Sequence, residues 1–258
     1  MEDTKTNRTL VNVILDRSGS MESTRLETIS GYNNYLKGLR ADTNTEYDIT
    51  LIQFDAHQGP ELTVKYTDKP LAEVPDLTEA DYLPRGYTPL YDAVGECIRR
   101  VETKGRLVIN VIITDGQENA SKEFTRETIK ALITEKEKKE NWTFVFLGAD
   151  IDSYAIGGSL GMAAGNTSNY KKGMESNLYA SLADSTMLRS AHARTKGVKF
   201  ASMTAMFDDS QRASMGDATV NPKPTPSTTG GRPAVPPTFP GTPNHVPNRT
   251  RRQWRDSN

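Results

Sequence analysis

Asp16-Arg17-Ser18-Gly19-Ser20 places a carboxylate and two hydroxyls on one short stretch. The apolar run 10–15 before it has the length and β-branched content of a buried strand. Thr24-Arg25-Leu26-Glu27 after it reads as a capping box that opens a helix. The Asp-x-Ser-x-Ser stretch therefore falls on a turn at the C-terminal end of a strand, where open α/β sheets bind ligands. Gly19 lets that turn bend without a Cβ clash. Hard oxygens at this spacing suit Mg²⁺, Mn²⁺ or Ca²⁺ rather than zinc or copper.

Two further stretches add to that chemistry. Gly86-Tyr87-Thr88-Pro89 leads into a helix, with a hydroxyl at the N-cap and proline in the first helical position. The face of that helix, Leu90, Ala93, Val94, Cys97, Ile98 and Val101, repeats at helical period. Thr114-Asp115-Gly116 closes the strongly apolar run 107–114. The hydroxyls of Ser18, Ser20 and Thr88 with the carboxylates of Asp16 and Asp115 make most of an octahedral oxygen shell. With the hydroxyls as direct ligands and the aspartates acting through water or hydroxyl hydrogen bonds, the cation keeps much of its charge. It then attracts an anionic oxygen from outside, such as a Glu or Asp of a partner protein. Each residue also has a plain structural use. Thr88 is an adequate N-cap, Asp115-Gly116 makes a simple turn, and Ser18 or Ser20 can bond nearby backbone. All three stretches together, in this order, favour the metal.

The elements that must position them follow from the pattern. Residues 47–54 and 61–67 read as strands joined by a short turn, hence antiparallel. Residues 68–84 hold three prolines and look irregular. Residues 125–140 read as a helix with Ile129, Leu132 and Ile133 inward and a solvated charged second half. A strand at 142–147 and a short helix at 152–160, capped by Asp152 and stopped by Gly161, come next. A helix over about 171–189 shows Met174, Leu178, Leu182, Ser185 and Leu188 on one stripe. Strands alternating with helices predict an α/β fold, with a doubly wound, mainly parallel sheet covered on both faces.

Composition narrows the classes. The 258 residues divide into a lead-in (1–9), one domain (10–195), a transition (196–216) and a Pro/Thr/Arg-rich tail (217–258) expected to be disordered. A net charge of −1 makes no bulk electrostatic case for nucleic acid or anionic membrane. No apolar run approaches the roughly 20 residues of a membrane span, and residues 1–5 lack a signal core. One cysteine supports neither a disulfide framework nor a Cys zinc site, so the expected compartment is the cytoplasm. Cys97 falls on the apolar stripe and reads as core, and His57 as a solvated turn residue. Gly157-Gly158-Ser159-Leu160-Gly161 does not open a helix, so it lacks the context of a dinucleotide fingerprint.

Asp16-Arg17-Ser18-Gly19-Ser20-Met21, Gly86-Tyr87-Thr88-Pro89-Leu90-Tyr91-Asp92-Ala93 and Ile113-Thr114-Asp115-Gly116-Gln117-Glu118-Asn119 together resemble the metal-ion-dependent adhesion site of von Willebrand factor type A domains. The resemblance covers roughly residues 10–189, including strand–helix order. It implies a Rossmann-like sheet with one antiparallel edge strand. It also implies Ser18, Ser20 and Thr88 as hydroxyl ligands, with Asp16 and Asp115 as acidic partners, direct or through water. Mg²⁺ is the metal it implies first, and a protein offering Glu or Asp is the partner. Without a signal or a disulfide pair, the chain looks more like the family's intracellular bacterial or phage group. Some of those work beside AAA+ ATPases or with kinases and phosphatases in stress responses. The resemblance implies a binding module rather than an enzyme. One alternative is a metal-dependent phosphoester hydrolase, but position 18 is Ser where an Asp-x-Asp phosphatase needs a second carboxylate. The other is a nucleic-acid adaptor gripping phosphates through Arg249, Arg251, Arg252 and Arg255 around Trp254.

Overall fold

Each strongly apolar run becomes a strand buried along almost its whole length. A computed structural model describes residues 4–139 and 141–219. The strands are β1 (Arg8–Asp16), β2 (Glu46–Ala56), β3 (Pro60–Pro70), β4 (Leu107–Thr114), β5 (Trp142–Ala149) and β6 (Thr167–Tyr170). They form one sheet in the order β3-β2-β1-β4-β5-β6. Neighbours are parallel except β2 and β3, the antiparallel edge pair that the short turn requires.

Alternating side chains supply two cores. Leu10, Ile14, Val108, Ile112, Phe144 and Phe146 share a cluster with α2 (Leu90–Arg100), α3 (Arg126–Glu137) and the C-terminal end of α4 (Ser153–Ser159). Val11, Val13, Ile109, Val111, Val145 and Leu147 share the other with α1 (Arg25–Ala41) and α5 (Glu175–Thr195). Both faces of the central strands are thus covered, which is why those strands are almost unbroken apolar runs. The chain passes from β1 to β2 on one side and takes up β4 on the other. The C-terminal ends of β1 and β4 therefore flank the point where strand order reverses, and a crevice opens there.

Four expectations need correction. Thr24 precedes α1 but makes no side-chain cap, because a 3-10 turn over Gly19–Thr24 already carries the chain into the helix. Strand β6 was not foreseen, since Thr167-Ser168-Asn169-Tyr170 has no apolar alternation. The stripe on α5 is rotated: Leu178, Tyr179, Leu182 and Thr186 are buried while Leu188 is exposed. Helical period alone cannot tell which of two adjacent stripes faces the sheet. The expected transition 196–216 instead folds as α6 (Val198–Met203) and α7 (Asp209–Ser214), burying Ala201, Met206, Phe207 and Met215. Arg212 of α7 is buried and donates to the carbonyls of Phe207, Ala164 and Gly165, a tertiary tie invisible to local pattern. The expected tail lies outside the described residues from 220 onward. Among the described residues, no helix is long and apolar enough to cross a membrane.

Candidate metal centre

The turn after β1 carries the first group. Asp16 ends the strand and is fully buried. Its Oδ1 accepts from the Ser18 amide at 2.6 Å, and its Oδ2 accepts from Thr114 Oγ1 at 2.6 Å. Burial pushes this carboxyl up to about 7, against the hydrogen bonds of Thr114 and Ser18, which pull it down; the nearby Asp115 charge adds to the rise. Ser18 is buried and stands at the N-cap of the 3-10 turn, yet its side chain caps nothing. Ser18 Oγ instead lies 3.2 Å from Ser20 Oγ.

Asp115 follows β4 across the crevice. Its Oδ1 accepts from Ser20 Oγ, which joins the first stretch to the third. Its Oδ2 faces the Lys172 Nζ at 2.7 Å, an ion pair outside hydrogen-bonding geometry. Thr88, also buried, comes from the second stretch. The N-cap of α2 is Pro89 rather than Thr88, and the N-cap residue itself supplies no side-chain acceptor. The Thr88 hydroxyl turns towards Gly116. A Cβ placed at Gly116 would stand 2.7 Å from Thr88 Oγ1 and 3.6 Å from Asp16 Oδ2. A methyl group at Gly116 would therefore press on the Thr88 hydroxyl, and glycine lets the Thr88 and Asp16 oxygens stand this close to the backbone.

Backbone bonds hold the loops in register. Gly19 donates to the Gly86 carbonyl at 3.1 Å and Arg85 to the Arg17 carbonyl at 2.8 Å. Ala56 and Tyr87 exchange bonds of 2.9 and 2.8 Å. Tyr82 Oη donates to the Asp16 carbonyl at 2.5 Å. Gly86 sits at φ +66, and a Cβ there would lie 2.1 Å from the Ala56 carbonyl oxygen, so only glycine fits. Arg17 points away from the crevice: its Nε donates to buried Asp55 at 2.6 Å, and Arg85 reaches the same carboxylate at 3.2 Å.

The third loop is clamped by residues the sequence reading did not single out. The Asp92 carboxylate, buried on α2, accepts from the amides of Lys122, Glu123 and Phe124 at 2.8 to 3.0 Å. In return, Glu118 Oε2 accepts from the Tyr91 amide at 3.0 Å and Ser121 Oγ from the Asp92 amide at 3.1 Å. The first-turn donors of α2 are thus met from another loop, which leaves the Thr88 hydroxyl to the crevice. A carboxylate at a helix start is the one available signal.

The structure brings Asp16, Ser18, Ser20, Thr88 and Asp115 to one edge of the sheet. Among the described residues no group of three or more His, Cys, Asp or Glu converges as a metal cluster, and the oxygens gathered at this edge come from two carboxylates and three hydroxyls. Such a set fits a hard cation.

No protein-family model and no curated protein matches the sequence. Solved structures do match. The von Willebrand factor domain of the type V pilus tip protein Mfa5 from Porphyromonas gingivalis is 12% identical, with TM-score 0.53 over 72% of this chain and 96% of that one. Proximal thread matrix protein 1 from the mussel byssus is also 12% identical, with TM-score 0.50 over 73% of this chain. This chain spans 49% of the mussel protein's length. At such identity the likeness carries the fold alone. With its sheet order, its single antiparallel edge pair and these matches, the chain has the von Willebrand factor type A fold.

Proposed function

We propose that the protein is a divalent-cation-dependent interaction module which captures an acidic side chain of a partner protein. The observation that carries this reading is the Thr88 hydroxyl, left out of the α2 cap and set beside Gly116 and Asp16. Ser18, Ser20 and Thr88 would hold the cation through their hydroxyls, with Asp16 and Asp115 behind them. Mg²⁺ is the first choice, with Mn²⁺ and Ca²⁺ sharing its preference for oxygen. A cation held there supplies positive charge that neutral hydroxyls do not cancel, and so a pull on an incoming carboxylate.

The chain's own residues do the rest. Asp115 Oδ1 accepts the Ser20 O–H, so the Ser20 oxygen faces Ser18 Oγ and the centre through its lone pairs. Thr114 and the Ser18 amide orient the Asp16 carboxylate. Tyr87, 66% exposed, and Leu83, 52% exposed, lie on the loop that carries Thr88 and offer a partner an apolar rim.

Calorimetric titration with MgCl₂ and MnCl₂ tests the centre. Thr88→Ala is expected to weaken uptake by about tenfold or more, a scale reached even by outer-shell partners of metal sites. A wild-type protein that shows no binding heat and no thermal shift with either metal ends the reading. Gly116→Ala probes the same space from the backbone side. Its methyl group would displace the Thr88 hydroxyl, so metal affinity should fall while the far-ultraviolet circular dichroism stays unchanged.

A further inference from the structure

Lys172 enters the centre from the turn between β6 and α5. Its Nζ is 2.7 Å from Asp115 Oδ2 and 3.8 Å from Asp150 Oδ2. The Asp115 side chain is fully enclosed, whereas Asp150 is 63% exposed. Ser20 already occupies Asp115 Oδ1, so the ammonium takes the oxygen that remains. The turn that delivers it is built. Lys171 donates its amide to the Met215 carbonyl at 2.9 Å, Met174 to the Lys171 carbonyl at 2.9 Å, and Gly173, at φ +90, to Glu175 Oε2 at 2.8 Å. Asp150 follows β5 at the same sheet edge and holds a left-handed φ of +54.

We propose that Lys172 is the centre's resident counter-cation: its ammonium neutralises Asp115 in the metal-free protein and moves over to Asp150 when a divalent cation enters. The inference rests on the metal reading above and adds a competitor to it. The Asp115 carboxylate is enclosed and needs positive charge nearby in either state. A dication and an ammonium crowded onto the same carboxylate repel each other, so loading the site must displace the lysine. Its reach to Asp150 requires only a side-chain rotation, because both carboxylates already lie within 4 Å of Nζ. The neighbouring Glu175 is tied to the Gly173 amide. The affinity for metal is thereby set below what the donor set alone would support.

Three single variants of the full chain test this by calorimetry with MgCl₂ and by melting in EDTA. Lys172→Gln is expected to bind Mg²⁺ about tenfold tighter, the scale of one close like charge removed. The same variant should melt lower than wild type in EDTA, since Asp115 loses its partner. Lys171→Gln removes the same charge from the adjacent, exposed residue and is expected to change affinity less than about twofold, as for a screened surface charge. Asp150→Asn withdraws the second seat and should weaken Mg²⁺ binding. Equal effects of Lys172→Gln and Lys171→Gln, or no gain in Lys172→Gln while wild type binds Mg²⁺, overturn the proposal and leave the metal centre standing. If no chain takes up Mg²⁺, both fall together.

Discussion

Asp16→Asn is expected to stabilise the metal-free protein at about pH 8 by on the order of 4 kcal/mol, while abolishing its uptake of divalent cations. Burial raises the Asp16 carboxyl from 3.8 to about 7 in the folded chain. A raised carboxyl favours the folded state at low pH and loses that contribution as pH climbs through the folded value. The window therefore opens near 3.8 and closes just above about 7. Asparagine carries no charge to desolvate, so the variant's advantage should be near zero around pH 4 and complete by about pH 8. It also keeps the hydrogen bonds. The Asn Oδ1 accepts from the Ser18 amide, its Nδ2 donates to Thr114 Oγ1, and the Thr114 hydroxyl proton turns to the Gly116 carbonyl, 3.1 Å away. Urea unfolding in EDTA from pH 4 to pH 8 measures the gap between the two proteins. Parallel curves would show that Asp16 is not held against its charge. Stability gained at the expense of function is the usual trade at a functional site.

Asp92→Ala should be the most damaging of the substitutions outside the crevice, costing about 4 kcal/mol. It strands the amides of Lys122, Glu123 and Phe124, each donating to this one carboxylate. It also leaves a gap beside the α2 N-terminus, where a negative charge is favoured. The loop so released carries Asp115 and Gly116 at its start and Asn119, whose Oδ1 accepts from the Thr88 amide at 2.8 Å. Metal affinity should therefore fall together with stability, although Asp92 lies outside the set proposed to face the cation. Melting and Mg²⁺ titration of this single variant check both. An unchanged affinity in a still-folded Asp92→Ala would show that the loop keeps its place without the clamp.

The strands that build the centre were legible because their information is local. Buried parallel strands need near-continuous apolar runs, and residues 10–15, 107–114 and 142–147 are such runs. The turn residues after them mark one end of the sheet. Asp16 and Asp115, at or beside the ends of two strands adjacent in a parallel sheet, had to approach one another. The antiparallel pair was equally legible from its short turn. Elements without an apolar repeat were not. β6 is four residues, three of them hydroxyl-bearing, at the sheet edge beside β5, and α7 is short and anchored through Arg212.

By itself the amino-acid order determined which residue types stand at the strand ends, and hence that hard oxygens gather there. It could not decide what each side chain does on arrival. Thr88 has the right type and place for a cap, yet Glu118 and Ser121 meet the nearby amides and the hydroxyl turns elsewhere. Lys172 sits far along the chain from Asp115 and reaches it only because β6 lies at the same sheet edge. Caps and ion pairs are competitions among partners brought together by folding, and a local window holds only one of the competitors.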